Sequence, residues 1–192
     1  SAVAISPSQL VTAAHCIPTN PTQRNLSIVL EEKTRTELLS KTLYPVKVLR
    51  VNYGDDTALL ELKTRTYEFQ KYVDVAETFT PYLGYKLYAL GFPRGDVLTL
   101  TEGMYTATVG LEQSMRWTGD FYKTTIPITG GSSGGGLFIE DNGDYKLIGL
   151  ASAGYRDVSF QNYFSSIESL HKIMIGFLGT VPEPASLLGE KK

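Results

Sequence analysis

Short runs rich in β-branched and aromatic residues recur along this chain at close spacing, and Gly, Pro, Asn or Asp separates each run from the next. Runs of that length suit pleated strands. With so little helical periodicity between them, the strands must pair antiparallel across short connections, which points to a sandwich or barrel rather than alternating β-α units. Strands are predicted at 1–6, 9–12, 26–32, 35–40, 45–53 and 57–63, and again at 85–91, 97–110, 120–127, 136–141, 145–153 and 158–164. Between the two groups, the polar and aromatic segment 64–84, with Pro81 and Gly84 near its end, reads as a crossing between two halves. Asp141-Asn142-Gly143-Asp144 reads as a hairpin turn, because Asn-Gly accepts the positive φ values such turns need. The spacing of Ile167, Leu170, Ile173, Met174 and Phe177 predicts one helix, with Ser166 as its N-cap and an apolar stripe facing the barrel. His171 within it reads as a surface or boundary residue.

A chain of 192 residues can bury a core without cross-links, and its single cysteine, Cys16, has no intramolecular partner. The 18 basic and 20 acidic residues are intermixed and leave a net charge of −2, which gives no electrostatic reason for a nucleic-acid partner. No apolar run approaches the roughly 18–20 residues that span a bilayer, and the chain as given reads as soluble. Ala2–Ser6 already reads as a strand with nothing ahead of it to pair with, so the expectation allows for missing N-terminal sequence and an incomplete first barrel.

The segment Gly130-Gly131-Ser132-Ser133-Gly134-Gly135-Gly136 has features that agree on one job. Glycines on both sides of Ser133 let the backbone bend so that the N–H groups of Gly131 and Ser133 converge on one point, a site for a developing oxyanion. A serine hydroxyl needs a base to attack a carbonyl, and an imidazole held by a carboxylate supplies one. His15 follows the short apolar run Leu10-Val11-Thr12, and Asp56 stands at the mouth of Ala58-Leu59-Leu60, where burial can hold it against the imidazole while Asp55 stays in solvent. Taken singly, His15 and Asp56 also read as a structural histidine and a turn acid. A flexible Gly/Ser linker is the competing reading of the glycine run, but it would interrupt two strands for no gain. The order of the three residues also excludes the α/β-hydrolase elbow, in which histidine comes last.

Three ordered motifs, Thr12-Ala13-Ala14-His15-Cys16, Asp56-Thr57-Ala58-Leu59-Leu60 and Gly131-Ser132-Ser133-Gly134-Gly135, make the chain resemble the trypsin-like serine peptidases of chymotrypsin fold. Leu90-Gly91-Phe92-Pro93, Thr101-Glu102-Gly103 and Leu147–Gly154 extend the resemblance over residues 1 to about 178. It is nearest to the disulfide-free bacterial and viral types, similar to the HtrA and glutamyl endopeptidase groups. The resemblance implies an all-β fold of two six-stranded antiparallel Greek-key barrels with a C-terminal helix. The expected division is 1–66 for the first barrel, 67–84 for the crossing, 85–178 for the second barrel and helix, and 179–192 for a tail. It also implies a serine endopeptidase with catalytic His15, Asp56 and Ser133, an oxyanion hole from Gly131 and Ser133, a peptide or protein as substrate, and no metal or other cofactor. Ser152 would support Asp56. Ile128, Thr129, Gly130, Ser152, Ala153 and Gly154 would line the substrate cleft, with an extended substrate pairing along Ser152–Gly154.

The chain departs from the secreted enzymes where Ser132 replaces the aspartate that captures a freed N-terminus. Activity is therefore expected to be independent of such an N-terminus, and replacement of residue 1 is expected to be harmless. Nor is there a carboxylate in the walls of the pocket formed by Pro127–Gly130, Ala151–Gly154 and Gln161-Asn162, which favours a small, apolar or neutral polar side chain before the cleaved bond. Substitution of Asp55 is expected to do little. The tail Val181–Ser186 is similar to the opening of PEP-CTERM sorting signals but lacks their apolar span, and also reads as a plain Pro-containing tail. A catalytically idle peptide-binding or structural module, and a virus or phage processing protease, are the alternative functions. Compartment and oligomeric state are not legible in the sequence.

Overall fold

A computed structural model of the chain describes residues 1–19, 25–33, 38–110, 117–154 and 161–175. The N-terminal half forms an antiparallel sheet of β1 (Val3–Ala4), β2 (Gln9–Thr12), β3 (Ser27–Lys33), β4 (Leu38–Asn52) and β5 (Thr57–Leu62). Its strand order is β1-β2-β5-β4-β3. The two strands predicted at 35–40 and 45–53 are one continuous strand of 15 residues. Pro45 stands where β4 changes partners: Leu38 to Pro45 face β3, and Val46 to Asn52 face β5. A proline is tolerated where ladder pairing changes hands. The shared strand curls the sheet around Leu10, Ile17, Val46, Ala58, Leu60, Leu62 and Phe69.

The second half closes fully. β6 (Lys86–Gly91), β7 (Thr99–Gly110), β8 (Asp120–Thr124), β9 (Gly136–Asp141), β10 (Asp144–Gly154) and β11 (Asn162–Ser165) form a barrel in the order β10-β11-β8-β7-β6-β9. Its core holds Leu87, Tyr122, Ile126, Leu137, Ile148 and Phe164. The β9–β10 hairpin turns on Asn142 (φ 54°) and Gly143 (φ 90°), the expected pair of positive φ values. The expected all-β, chymotrypsin-like architecture is therefore present, with one difference between halves. The second barrel has its six strands, whereas the first, among the described residues, is a curled sheet of five whose opening strand is only Val3–Ala4.

Helix α1 (Ile167–Ile175) seals the junction between the halves. Leu170 and Ile173 pack with Val11 and Leu59 of the first sheet and with Phe138, Leu147 and Leu150 of the second barrel. Ser166 caps the helix as predicted, its hydroxyl accepting from Ser169 N–H at 3.4 Å. Arg50 holds the other end, donating to Ile173 O at 3.0 Å and Met174 O at 2.9 Å, where a cation meets the negative end of the helix dipole. His171 is half-buried at the boundary, as expected, with Nε2 2.9 Å from Ala76 O. Phe177 lies outside the described residues. The crossing segment is bonded to both halves, through Phe69 N–H to Pro7 O (2.8 Å), Val73 N–H to Ala4 O (3.0 Å) and Ala76 N–H to Leu147 O (3.0 Å). Among the described residues, no helix is long and apolar enough to cross a membrane.

Candidate active site

His15 lies in the 3-10 turn Ala14–Cys16 that follows β2 directly. Ala13 and Ala14 are fully buried, and their small side chains let this turn sit against β5. Asp56 occupies the tip between β4 and β5 with φ at 50°, a conformation that aspartate tolerates better than most residues. That geometry turns its carboxylate back beneath the 3-10 turn. Asp56 Oδ1 accepts from His15 N–H at 2.9 Å, and His15 Nδ1 lies 2.9 Å from Oδ2. Ser152 of β10 donates to the same Oδ2. A register shift between β10 and β11 spans Ala151 to Ala153, and an irregularity of that kind re-aims the side chain it carries. The carboxylate is 1 % exposed and links the two halves of the fold. The hydrogen bond that the ring makes to the Asp56 carboxylate, with a smaller effect of the neighbouring Cys16, raises the pKa of His15 above that of a free imidazole against the opposing effect of burial.

The glycine-rich loop is two successive turns. Ser132 N–H bonds Thr129 O at 3.0 Å, with Gly131 third in the turn at φ 93°. Gly135 N–H then bonds Ser132 O at 2.8 Å, with Gly134 third at φ 77°. Positive φ at that position is the mark of a turn that selects glycine. Gly134 and Gly135 also serve close packing. A Cβ on Gly134 would collide with Thr12 Oγ1 and Ser1 O, and one on Gly135 with Leu90 O. The glycines thus let the loop lie directly on the strand that leads to His15. Ser133 is half-buried, with its carbonyl 3.9 Å from Cys16 Sγ. Among the described residues, no hydrogen bond joins its hydroxyl to the imidazole, and the N–H groups of Gly131 and Ser133 have no acceptor.

The other predicted residues border this centre. Thr129 and Gly130 are exposed on the loop, Ile128 packs against the second core, and Ala153 and Gly154 lie at the open end of β10. Ser152 commits its hydroxyl to Asp56.

Asp55 corrects its expected place in solvent. It is 5 % exposed, accepts from Asn52 Nδ2 at 2.8 Å, lies 3.5 Å from Lys172 Nζ of α1, and packs against Gly119. It ties the Asp56 turn to the helix and to the second barrel. Asp55→Ala is accordingly expected to lower the unfolding free energy by roughly 1–3 kcal/mol, the cost of stranding buried hydrogen-bond partners; a denaturant titration reads it, and an unchanged midpoint would return Asp55 to the surface.

Three neighbours were missed in the sequence. Trp117, stacked on Phe121, sets its ring 6.4 Å from that of His15. Ser1 bonds the glycine loop at several points, and Arg94 N–H meets Gly130 O at 2.6 Å. None lies in a motif, and each arrives from a distant part of the chain.

A family model described as trypsin-like peptidase domain matches residues 1–150. No curated protein matches the chain by sequence. Among solved structures, a protease from M. tuberculosis in its active form superposes with a TM-score of 0.69 at 18% identity, covering 93% of this chain and 73% of its own. A serine endoprotease from Yersinia pestis gives 0.66 at 18% identity, covering 91% and 55%. The HtrA-type protease AlgW with a decapeptide gives 0.68 at 20% identity, covering 91% and 51%. At these identities the likeness is one of fold.

Proposed function

The chain belongs to the trypsin-like peptidase domain family, and from that premise we propose that it is a serine endopeptidase that cleaves peptide bonds through an acyl-enzyme on Ser133. In this reading Ser133 Oγ attacks the scissile carbonyl and gives its proton to His15 Nε2. Asp56, facing Nδ1, keeps the ring proton on that nitrogen and leaves the Nε2 lone pair free to act as base. The same imidazolium then protonates the leaving amine, and water activated by His15 releases the acyl group. Gly131 and Ser133 N–H receive the oxyanion.

The observation that carries this reading is the state of the two donor peptides. Their own carbonyls, Gly130 O and Ser132 O, are bound by Arg94 N–H (2.6 Å) and Gly135 N–H (2.8 Å). In a trans peptide the C=O and N–H point opposite ways, so holding the oxygens aims the hydrogens elsewhere. Both donors are thus unpaired and directionally fixed beside the His15–Asp56–Ser152 chain, which supports a preformed anion site. Ser152–Gly154 follow the β9-paired part of β10 and, among the described residues, ladder only with β11, which supports strand-like pairing of an extended peptide along their other edge.

A fluorophosphonate probe tests the proposal. Covalent labelling is expected on Ser133 and is expected to vanish in Ser133→Ala. Absence of labelling in folded protein would instead favour an idle peptide-binding module.

A further inference from the structure

The anion site depends on where the peptides of the glycine loop point, and Ser1 contacts that loop more than any motif predicts. Its hydroxyl accepts from Phe92 N–H at 3.0 Å and donates to Gly131 O at 2.8 Å. Its nitrogen donates to Ser133 O at 2.7 Å, and its carbonyl accepts from Thr12 Oγ1 at 2.7 Å. Ser1 therefore joins three segments: β2, which leads to His15; the turn 92–95; and the loop that carries Ser133.

Each of the two donor residues sits between two peptides. For Gly131, the preceding carbonyl is held by Arg94 N–H and the following one by the Ser1 hydroxyl. For Ser133, the preceding carbonyl is held by Gly135 N–H and the following one by Ser1 N. With both flanking peptide planes fixed, φ and ψ of the residue between them are fixed, and so is the direction of its N–H. Gly130 and Gly131 have no Cβ to limit rotation. External bonds must supply the limit. The turn that offers Arg94 N–H is itself strained, with Arg94 at φ 56°, and the Ser1 hydroxyl ties the start of that turn through Phe92 N–H.

We propose that the Ser1 hydroxyl is a positioning group for the anion site, bridging Phe92 N–H and Gly131 O so that the Gly131 donor faces the cleft beside that of Ser133. The inference rests on the peptidase reading above, and it changes the expectation that residue 1 can be replaced without effect. Only the side-chain bridge is invoked.

The test compares the wild type with Ser1→Ala and Ser1→Thr. Ser1→Ala is expected to lower kcat by about ten- to a hundredfold, short of the ~10²–10³ lost when a donor is removed outright. KM is expected to change little, as befits an interaction that matters in the transition state. Ser1→Thr keeps a hydroxyl and is expected to recover most of the loss. Amide hydrogen exchange on the substrate-free protein is expected to quicken over 130–134 in Ser1→Ala while β6 and β9 keep their protection. Unchanged kcat, or exchange that quickens throughout the barrel, would overturn the proposal. If the wild type neither cleaves peptides nor takes the fluorophosphonate, the peptidase reading fails, and the exchange measurement alone still decides whether Ser1 holds the loop.

Discussion

Ser133→Ala is expected to reduce peptide hydrolysis by about six orders of magnitude, His15→Ala by a similar factor, and the double variant by no more than either. The lack of additivity follows from the chemistry proposed. The hydroxyl is a poor nucleophile without the base, and the base has no proton to remove without the hydroxyl, so loss of either forfeits the whole covalent route. What survives is the anion site and substrate binding, which in such enzymes hold about 10³–10⁴ over the reaction in water. Ser132 is the natural control for the neighbouring position. Its side chain is turned inward, 6 % exposed, with the hydroxyl 3.4 Å from Thr129 N–H. The measurement is kcat on one peptide substrate for each variant at matched concentration of folded protein. Ser133→Ala activity within about a hundredfold of wild type would remove Ser133 from the nucleophile's role, since no substitution of the attacking atom can leave so much.

The parts of this fold that could be read from sequence are those whose cause is local. The hairpin at Asn142-Gly143 needs only its two residues to accept positive φ, and the helix from Ser166 shows its apolar period and its cap within a dozen residues. His15, Asp56 and Ser133 stand out in the sequence for a different reason, because the chemistry proposed for them requires small residues or glycines in fixed places around each. The resemblance alone points to Ser152, whose bond to Asp56 spans 96 residues. Where the pattern was silent, the missing information was long-range. Asp55 reads as a surface acid until Lys172, 117 positions away in sequence by its number, arrives with helix α1 at 3.5 Å. Ser1 and the loop it holds are separated by 130 residues. The break expected between the strands 35–40 and 45–53 erred in the opposite sense, since one long strand runs through it and exchanges pairing partners along its length.

Asp56→Asn carries the other large expectation, a fall of about four orders of magnitude in kcat with the fold retained. Retention follows from the backbone, since asparagine tolerates the left-handed φ of 50° at this position as aspartate does. The loss follows from hydrogen-bond polarity. The carboxylate accepts from His15 N–H, from His15 Nδ1 and from the Ser152 hydroxyl. An amide has one accepting oxygen; placed at Oδ1 it keeps the His15 backbone N–H, and the NH₂ takes the place of Oδ2, where the Ser152 hydroxyl must turn to accept from it. The amide NH₂ then faces Nδ1, which must become an acceptor, and the ring proton moves to Nε2, the atom that has to take the proton of Ser133. The pH profile separates this cause from general damage. Asp56 raises the pKa of His15, and only the neutral imidazole can act as base, so kcat/KM climbs as pH rises through that pKa. Removing the carboxylate lets the pKa fall, and the acid limb is expected to move to lower pH while the plateau drops. A merely loosened site would lower the plateau and leave the limb where it was. Turnover within about tenfold of wild type, far above the ~10⁴ loss expected of the wrong tautomer, would mean that Asp56 does not orient the base.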